Sequence, residues 1–364
     1  MWITVYGHKH IYTREGGIEV AVTELVERLS KKHSIAVIDR AVGKTIKKTN
    51  VPSTVKMFYA HAPQVTGSAA ITAYQATCIA ARIPSDVVHI HAEGQCMFLP
   101  ILKRAGKKIV VTVHGLDWQR EKWDRAGKTA ILFGEQMAAK YADEIIVLSK
   151  ENQYYFRDVY GRRTVLIENG VSIPDADQRS DVEKRNGLEP GKYFLFLGRF
   201  APEKRPDMAV AAFKGLSTGL KLVMAGPDAD IDHDAEWYKE AVTNPRIIMS
   251  GFMQGNDMAW LYENCRAFIL PSDIEGMSLS LLEAMAYGCR CITSDIYENT
   301  SVLGRFGNTF QAGNTAALKK EMETAAKEPF FKNLKQASYI RSRCQWDRTA
   351  KLTEEVLLDV SKRT

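Results

Sequence analysis

Short apolar runs alternate along this chain with stretches whose apolar residues recur every three or four positions. Residues 3–6, 34–38, 87–91, 109–113, 145–148 and 165–167 read as strands. Residues 17–30 place Ile18, Val22, Leu25 and Leu29 on one helical face, and 70–81 and 129–141 repeat the helical period. Apolar strands alternating with helices predict a parallel sheet covered on both sides, with any ligand at the carboxyl ends of the strands. Residues 173–190, with Pro174, several Asp, Gly187 and Pro190, break the pattern and predict a polar linker. A second strand series follows at 193–197, 221–224, 247–249, 267–270 and 291–292, with helices over 206–215, 256–264 and 278–287. The stretch 347–364 is an amphipathic helix candidate, with Leu352, Val356 and Val360 four apart.

Composition changes this picture little. The chain has 364 residues, 45% hydrophobic and 25% charged, which fits two ordinary globular domains and excludes a disordered or fibrous chain. The net charge of +6 is uneven, because residues 1–175 hold 24 Lys and Arg against 17 Asp and Glu. Basic pairs such as Lys31-Lys32, Lys47-Lys48 and Lys107-Lys108 suit a solvated surface, an anionic membrane or an anionic substrate. No zinc-finger or RNA-binding-sheet pattern accompanies the charge, so a nucleic-acid partner is not expected. The six cysteines show no C-x-x-C pair, so neither a zinc site nor a disulfide framework is expected. No apolar run reaches the roughly 18 residues of a membrane span, and the first residues lead into a strand where a signal peptide would have its charged start. The expectation is a cytoplasmic protein, with peripheral contact at the inner face of the plasma membrane compatible with the basic first half.

Three loops carry candidate chemistry. In the first, Gly16 and Gly17 stand before the first helix, where backbone can approach a ligand and the helix start favours an anion; a tight strand-to-helix turn reads equally well. The loop lacks G-x-G-x-x-G, so the usual dinucleotide fingerprint is absent. The second loop, Gly198 to Pro206, follows the first strand of the second series. Arg199 is suited to a bidentate grip on phosphate, Lys204 adds a point charge, and Pro206 suits a first helical turn. The third runs from Pro271 to Glu283. Glu275 and Glu283 stand eight apart, a spacing that Glu19 and Glu27 share, so context distinguishes them. Glu275 precedes a glycine at a helix start, where the N–H groups of Gly276, Met277, Ser278 and Leu279 suit phosphate or sugar oxygens. Glu283 lies deeper in that helix, where one carboxylate suits the paired hydroxyls of a ribose. His114 ends a strand beside Gly115 and suits a ligand contact. His89 and His91 are expected on opposite sides of their strand, which disfavours a shared metal.

With these residues assembled, the chain resembles the retaining glycosyltransferases of family 4, and within them a subgroup of rhamnosyltransferase-like enzymes of bacterial surface-polysaccharide assembly. The resemblance rests on Gly198-Arg199 with Glu203-Lys204-Arg205, on Ala225-Gly226-Pro227, and on Glu275 to Glu283 followed by Ala284-Met285-Ala286-Tyr287-Gly288. In the first half it rests on Arg14-Glu15-Gly16-Gly17-Ile18-Glu19, His89-Ile90-His91-Ala92-Glu93-Gly94 and His114-Gly115-Leu116-Asp117. It implies the α/β GT-B fold, two Rossmann-like domains facing across a cleft. The expected divisions are an acceptor domain at 1–172, a linker at 173–190, a donor domain at 191–340, and a helix at 341–364 that returns to the first domain. It implies that Arg199 and Lys204 neutralise a leaving diphosphate, that Glu275 holds the donor sugar and Glu283 the ribose, and that the base lies near Gly251, Phe252 and Met253. It also implies that Gly17 gives an N–H to phosphate and that His114 meets the sugar near its reacting carbon. Arg14, His91 and Glu93 are the acceptor-side candidates. The implied reaction needs no metal or other cofactor (Asp228-Ala229-Asp230 reads as loop). It takes a UDP- or dTDP-sugar to a hydroxyl of a glycan or polyprenyl-diphosphate-linked glycan. A GT-B nucleotide-sugar epimerase or hydrolase, a nucleotide-sugar-binding protein without catalysis and a two-domain solute-binding protein are the alternatives. Sugar, base, acceptor linkage and oligomeric state are not fixed by these residues.

Overall fold

Parallel strands whose side chains are apolar on both faces are stable only with helices packed on each side, and both halves of the chain solve this problem in the same way. The computed structural model describes residues 1–43, 51–121, 123–173, 180–228 and 231–363. Lys47-Lys48, Pro174 and residues 229–230 of the Asp-x-Asp string therefore lie outside the described residues.

The chain forms two compact units, one made of Met1–Gly170 with Trp346–Thr364, the other of Val171–Gln345. In the first, β1 (Trp2–Tyr6), β2 (Ser34–Val42), β3 (Val55–Ala62), β4 (Val87–His91), β5 (Lys108–Val113), β6 (Glu144–Val147) and β7 (Val165–Leu166) make one parallel sheet in the order β3-β2-β1-β4-β5-β6-β7. In the second, β8 (Tyr193–Leu197), β9 (Lys221–Ala225), β10 (Ile247–Gly251), β11 (Ala267–Leu270), β12 (Cys291–Ser294) and β13 (Asn308–Phe310) pair as β10-β9-β8-β11-β12-β13. Both orders reverse direction between a unit's first and fourth strands, the place where doubly wound sheets bind ligands.

Two strands escape the hydrophobic pattern. The β3 sequence mixes Lys56, Tyr59 and His61 among its apolar residues because it is an edge strand, half-exposed along much of its length. The β13 strand is three residues long, also at an edge, with only Phe310 buried. Within the segment read as linker, Val182–Asn186 forms a short helix whose Val182 is buried.

The helix Trp346–Lys362 belongs to the first unit. Its Ala350, Leu357 and Val360 share a core with Val22, Leu25 and Val26 of the helix Gly17–Leu29 and with strand residues Ile3, Val5 and Val87. Arg28 Nε donates to Asp347 Oδ1 at 2.6 Å along the same seam.

Candidate active site

In the second unit, two loops meet where the sheet reverses. After β8 the chain passes Gly198 and Arg199 to a single tight turn, Pro202–Lys204. Gly226, at the end of β9, is held here by space: a Cβ on it would lie 2.0 Å from the Gly198 carbonyl oxygen. Arg205 takes φ 54°, and Pro206 opens the next helix, Pro206–Lys214. After β11 the second loop bends back, and the Asp273 N–H donates to the Glu203 carbonyl at 2.9 Å. Arg205 Nη1 donates to Asp273 Oδ2 at 3.0 Å, a second tie between the loops.

These ties bring the candidate residues together. Lys204 Nζ donates to both carboxylate oxygens of Glu275, each at 2.5 Å. Arg199 Nη2 lies 3.4 Å from Glu203 Oε1. Glu203 and Glu275 are both buried, so each carboxylate sits where its interaction with a cation is poorly screened. Ser278 caps the helix Leu279–Ala286, its Oγ accepting from the Leu281 N–H at 3.4 Å. Gly276 and Met277 immediately precede this cap, and Leu279 begins the helix. Glu283 is buried one turn in, where its Oε2 accepts from the Tyr262 hydroxyl at 3.1 Å. Burial and the Glu283 charge hold the Tyr262 phenol well above its usual range, so it remains a donor. Phe252 and Met253 follow the end of β10, two strands from β8, with Phe252 exposed.

The first unit holds a second group. Gly7, just past β1, has φ 115° and lies so close to β4 that a Cβ would come within 2.0 Å of the His91 carbonyl oxygen. Arg14 takes φ 54° in the loop before Gly16, with its Nη1 at 3.6 Å from Glu24 Oε1. The helix start after Gly16 already has a carboxylate beside it, since a Cβ on Gly16 would lie 2.5 Å from Glu19 Oε2. Glu19 Oε1 accepts from the Lys9 N–H at 2.9 Å. Burial pushes the Glu19 carboxyl up, but that bond, its own backbone and the nearby His8 and Lys9 charges outweigh it and bring it down.

His91 Nδ1 and His114 Nε2 are hydrogen-bonded at 2.9 Å at the ends of β4 and β5. Burial lowers both imidazoles, His114 to about 4 and His91 well below its ordinary value, so the pair is neutral near pH 7. The expectation that His89 and His91 face opposite sides is wrong. Their rings lie 4.3 Å apart on one face, as residues two apart in a strand must. Among the described residues, however, no three His, Cys, Asp or Glu form a group able to hold a metal ion. Glu93 is fully buried at the end of β4, and its Oε1 accepts from the Asp117 N–H at 3.4 Å. Burial, reinforced by the Asp117 charge, raises this carboxyl well above the usual range.

Sequence reasoning missed two supporting groups. His8 Nε2 meets Asp39 Oδ1 at 2.7 Å, and Asp39 also accepts from the Ile11 N–H at 3.2 Å. The available signal was an acid set among the apolar residues of β2. Tyr262, which holds Glu283, lies in the helix Gly255–Asn264 and looks from sequence like any core aromatic.

Comparison with known proteins follows the same division. A family model described as Glycosyltransferase Family 4 matches residues 15–173, and one described as Glycosyl transferases group 1 matches residues 177–343. The two models together match both halves of the chain, which supports a GT-B, family 4-like glycosyltransferase. It is 29% identical over 235 residues to the Escherichia coli UDP-Gal:alpha-D-GlcNAc-diphosphoundecaprenol alpha-1,3-galactosyltransferase, covering 60% of each chain. It is 26% identical over 224 residues to the Xanthomonas campestris GDP-mannose:cellobiosyl-diphosphopolyprenol alpha-mannosyltransferase, covering 58% of this chain and 56% of that enzyme. Both matches therefore span less than two thirds of the relative. The fold is that of the Thermosynechococcus elongatus sucrose-phosphate synthase structure, with TM-score 0.79 at 16% identity over 99% of this chain and 98% of that one. Among the described residues, no helix is long and apolar enough to cross a membrane.

Proposed function

We propose that this chain transfers a glycosyl group from a nucleoside-diphosphate sugar to a hydroxyl of a glycan carried on a polyprenyl diphosphate, in building cell-surface polysaccharide. The observation that carries the reading is the Lys204–Glu275 ion pair, with Arg199 in the same loop, where the second unit's sheet reverses. Departure of a nucleoside diphosphate builds negative charge, and fixed cations with oriented N–H groups stabilise it best where water is scarce. Lys204 has three N–H donors, so it can keep Glu275 while donating to a phosphate. Glu275 in turn fixes the position of the Lys204 ammonium and accepts from sugar hydroxyls. Glu283, held by Tyr262, takes the ribose, and backbone near Phe252 and Met253 takes the base. In the first unit, Gly17 and His114 take the phosphate and sugar contacts that the family resemblance implies, and Arg14, His91 and Glu93 serve the acceptor.

The names of both relatives specify a nucleotide sugar and a diphosphopolyprenol acceptor, which supports this substrate class. We assign same-face displacement, in which the leaving phosphate takes the acceptor proton and the donor's anomeric configuration is kept. No bound metal is required in this scheme. The test is thermal stability against UDP, dTDP, GDP, ADP and NAD, followed by transfer to a polyprenyl-diphosphate glycan. A ligand at 100 times its Kd adds about 2.7 kcal/mol, an easily measured shift. The reading requires a shift with one nucleoside diphosphate, its loss in Arg199→Ala, and a glycosylated product of retained configuration made with EDTA present. Turnover of donor alone, with no product on the acceptor, would replace it with an epimerase or hydrolase.

A further inference from the structure

At the amino-terminal edge of the second sheet, the end away from Arg199 and Glu275, a cluster of thiols has no part in the reaction above. Strands β11 and β12 pair with Phe268 opposite Cys291, which sets Cys265 and Cys289 on neighbouring chain entries to the sheet. Both thiols donate to one acceptor, the Tyr262 carbonyl, Cys265 at 3.5 Å and Cys289 at 2.9 Å. Lys332 Nζ donates to the same oxygen at 2.8 Å and lies 3.8 Å from Cys289 Sγ. Among the described residues no carboxylate pairs with Lys332, so Cys289 is the ionisable group it faces most closely. Burial raises the thiols of Cys96, Cys265 and Cys291. At Cys289 burial also acts upward, but the Cys265 hydrogen bond and the Lys332 charge outweigh it and bring the thiol down. A thiol beside a cation is the reactive kind, provided a reagent can reach it. Cys289 is itself buried, and the approach to it is past Lys332, which lies on the segment joining two helices and lines an open cavity of about 760 Å³ with Glu263, Asn264, Tyr287 and Arg341.

We propose that Cys289 is a peroxide-modification site with Cys265 as its resolving thiol, and that closing the disulfide weakens the nucleotide site at Glu283. The Cys289 thiolate attacks one peroxide oxygen, the O–O bond breaks, and a sulfenic acid and hydroxide result. The Cys265 sulfur then attacks the Cys289 sulfur and expels the oxygen bonded there, which leaves as water with the Cys265 proton. Two thiols lose two electrons and one hydrogen peroxide becomes two waters. Two contacts carry the effect to Glu283. Tyr262 offers its carbonyl to the thiols and its hydroxyl to Glu283, and the helix bearing Glu283 runs from the Ser278 cap to within three residues of Cys289. A disulfide removes both S–H donors from the Tyr262 carbonyl and leaves Lys332 without an ionisable sulfur beside it.

The effect on Glu283 rests on the proposed function, whereas the disulfide does not, so the test has two arms. The folded protein is treated with dilute hydrogen peroxide, blocked with N-ethylmaleimide and mapped by mass spectrometry. The proposal requires a Cys265–Cys289 disulfide to form first. It requires Cys265→Ser to accumulate a Cys289 sulfenic acid trapped by dimedone, and Lys332→Met to slow oxidation about tenfold or more. Earlier oxidation of another cysteine overturns it, as does a wild-type rate in Lys332→Met or reaction only where circular dichroism shows unfolding. In the second arm, the affinity for UDP, GDP and dTDP is compared before and after oxidation. A loss of fivefold or more, reversed by dithiothreitol and absent in Cys265→Ser, is expected. Unchanged affinity in the fully oxidised protein overturns the coupling alone. A reduced protein that binds no nucleoside diphosphate overturns the coupling and the proposed function together, and leaves the disulfide to be judged by the map.

Discussion

Lys204 and Glu275 each depend on the other because neither is well hydrated: their side chains are 17% and 5% exposed. Removing one partner of a buried pair costs about 3–5 kcal/mol, because the other charge is left uncompensated. Lys204 reaches some water, so Glu275→Ala is expected to cost about 1–3 kcal/mol in urea unfolding and to cut transfer by roughly 10²-fold. Arg199→Ala should cut transfer similarly with a smaller loss of stability. Glu27→Ala, at an exposed position of the first helix, should change neither. Equal effects at Glu27 and Glu275 would overturn the site.

A second residue-scale prediction concerns the buried imidazoles. His89 and His114 are lowered from 6.5 to about 3 and about 4, chiefly by burial. Between those values and 6.5 the unfolded chain binds more protons, so stability falls as pH falls, by at most about 1.4 kcal/mol per unit for each imidazole. Glu93 and Glu135 are raised, also chiefly by burial, and act in the opposite sense: they destabilise as pH rises above the ordinary carboxylate range. Comparing wild type with His114→Gln isolates one imidazole. Urea midpoints at pH 7.5 and 5.5 should converge in the variant relative to wild type.

At the scale of elements, the sequence was most legible where burial is greatest. The central strands β1, β4, β5, β8 and β11 are apolar runs because both faces are covered, and the helices read from periodicity lie within a few residues of their expected bounds, whereas Lys150–Tyr160, Thr315–Lys327 and Leu334–Arg343 were not read. The edge strands β3 and β13 were missed because an edge strand is partly solvated and its pattern dilutes. Arg199, Lys204 and Glu275 were legible as loop residues after strands. Their pairing was not, because it depends on two loops 71 residues apart meeting. The error at His89 and His91 was one of geometry, since a period of two puts both on one face. Gly226 marks the same limit. Its need for a bare backbone comes from the Gly198 carbonyl just past the neighbouring strand β8, not from any local turn. Gly226→Ala should therefore lower Tm sharply and abolish nucleotide binding. Gly67→Ala, at φ 87° with nothing within 4 Å of the new methyl, should cost only about 1 kcal/mol of backbone strain.

At the scale of the molecule, the second unit is one continuous stretch inserted into the first. A chain of residues 171–345 should unfold cooperatively by itself. A chain of residues 1–170 should not, because it exposes the apolar surface that Ala350, Leu357 and Val360 cover. Adding 346–364 as a separate peptide should restore a cooperative transition, seen by circular dichroism. Failure of the peptide to change the melting of 1–170 would show that the seam contributes little.

That insertion also sets an order in time. A ribosome makes β1 first, and domains usually fold as they emerge. Here the segment that finishes the first unit is translated only after every residue of the second. The second sheet can reach its native state while the first still waits, half-covered, for its last helix. During that interval the exposed side of β1 and β4 is open to solvent and to any chaperone that binds apolar surface. The unit begun first is the unit completed last.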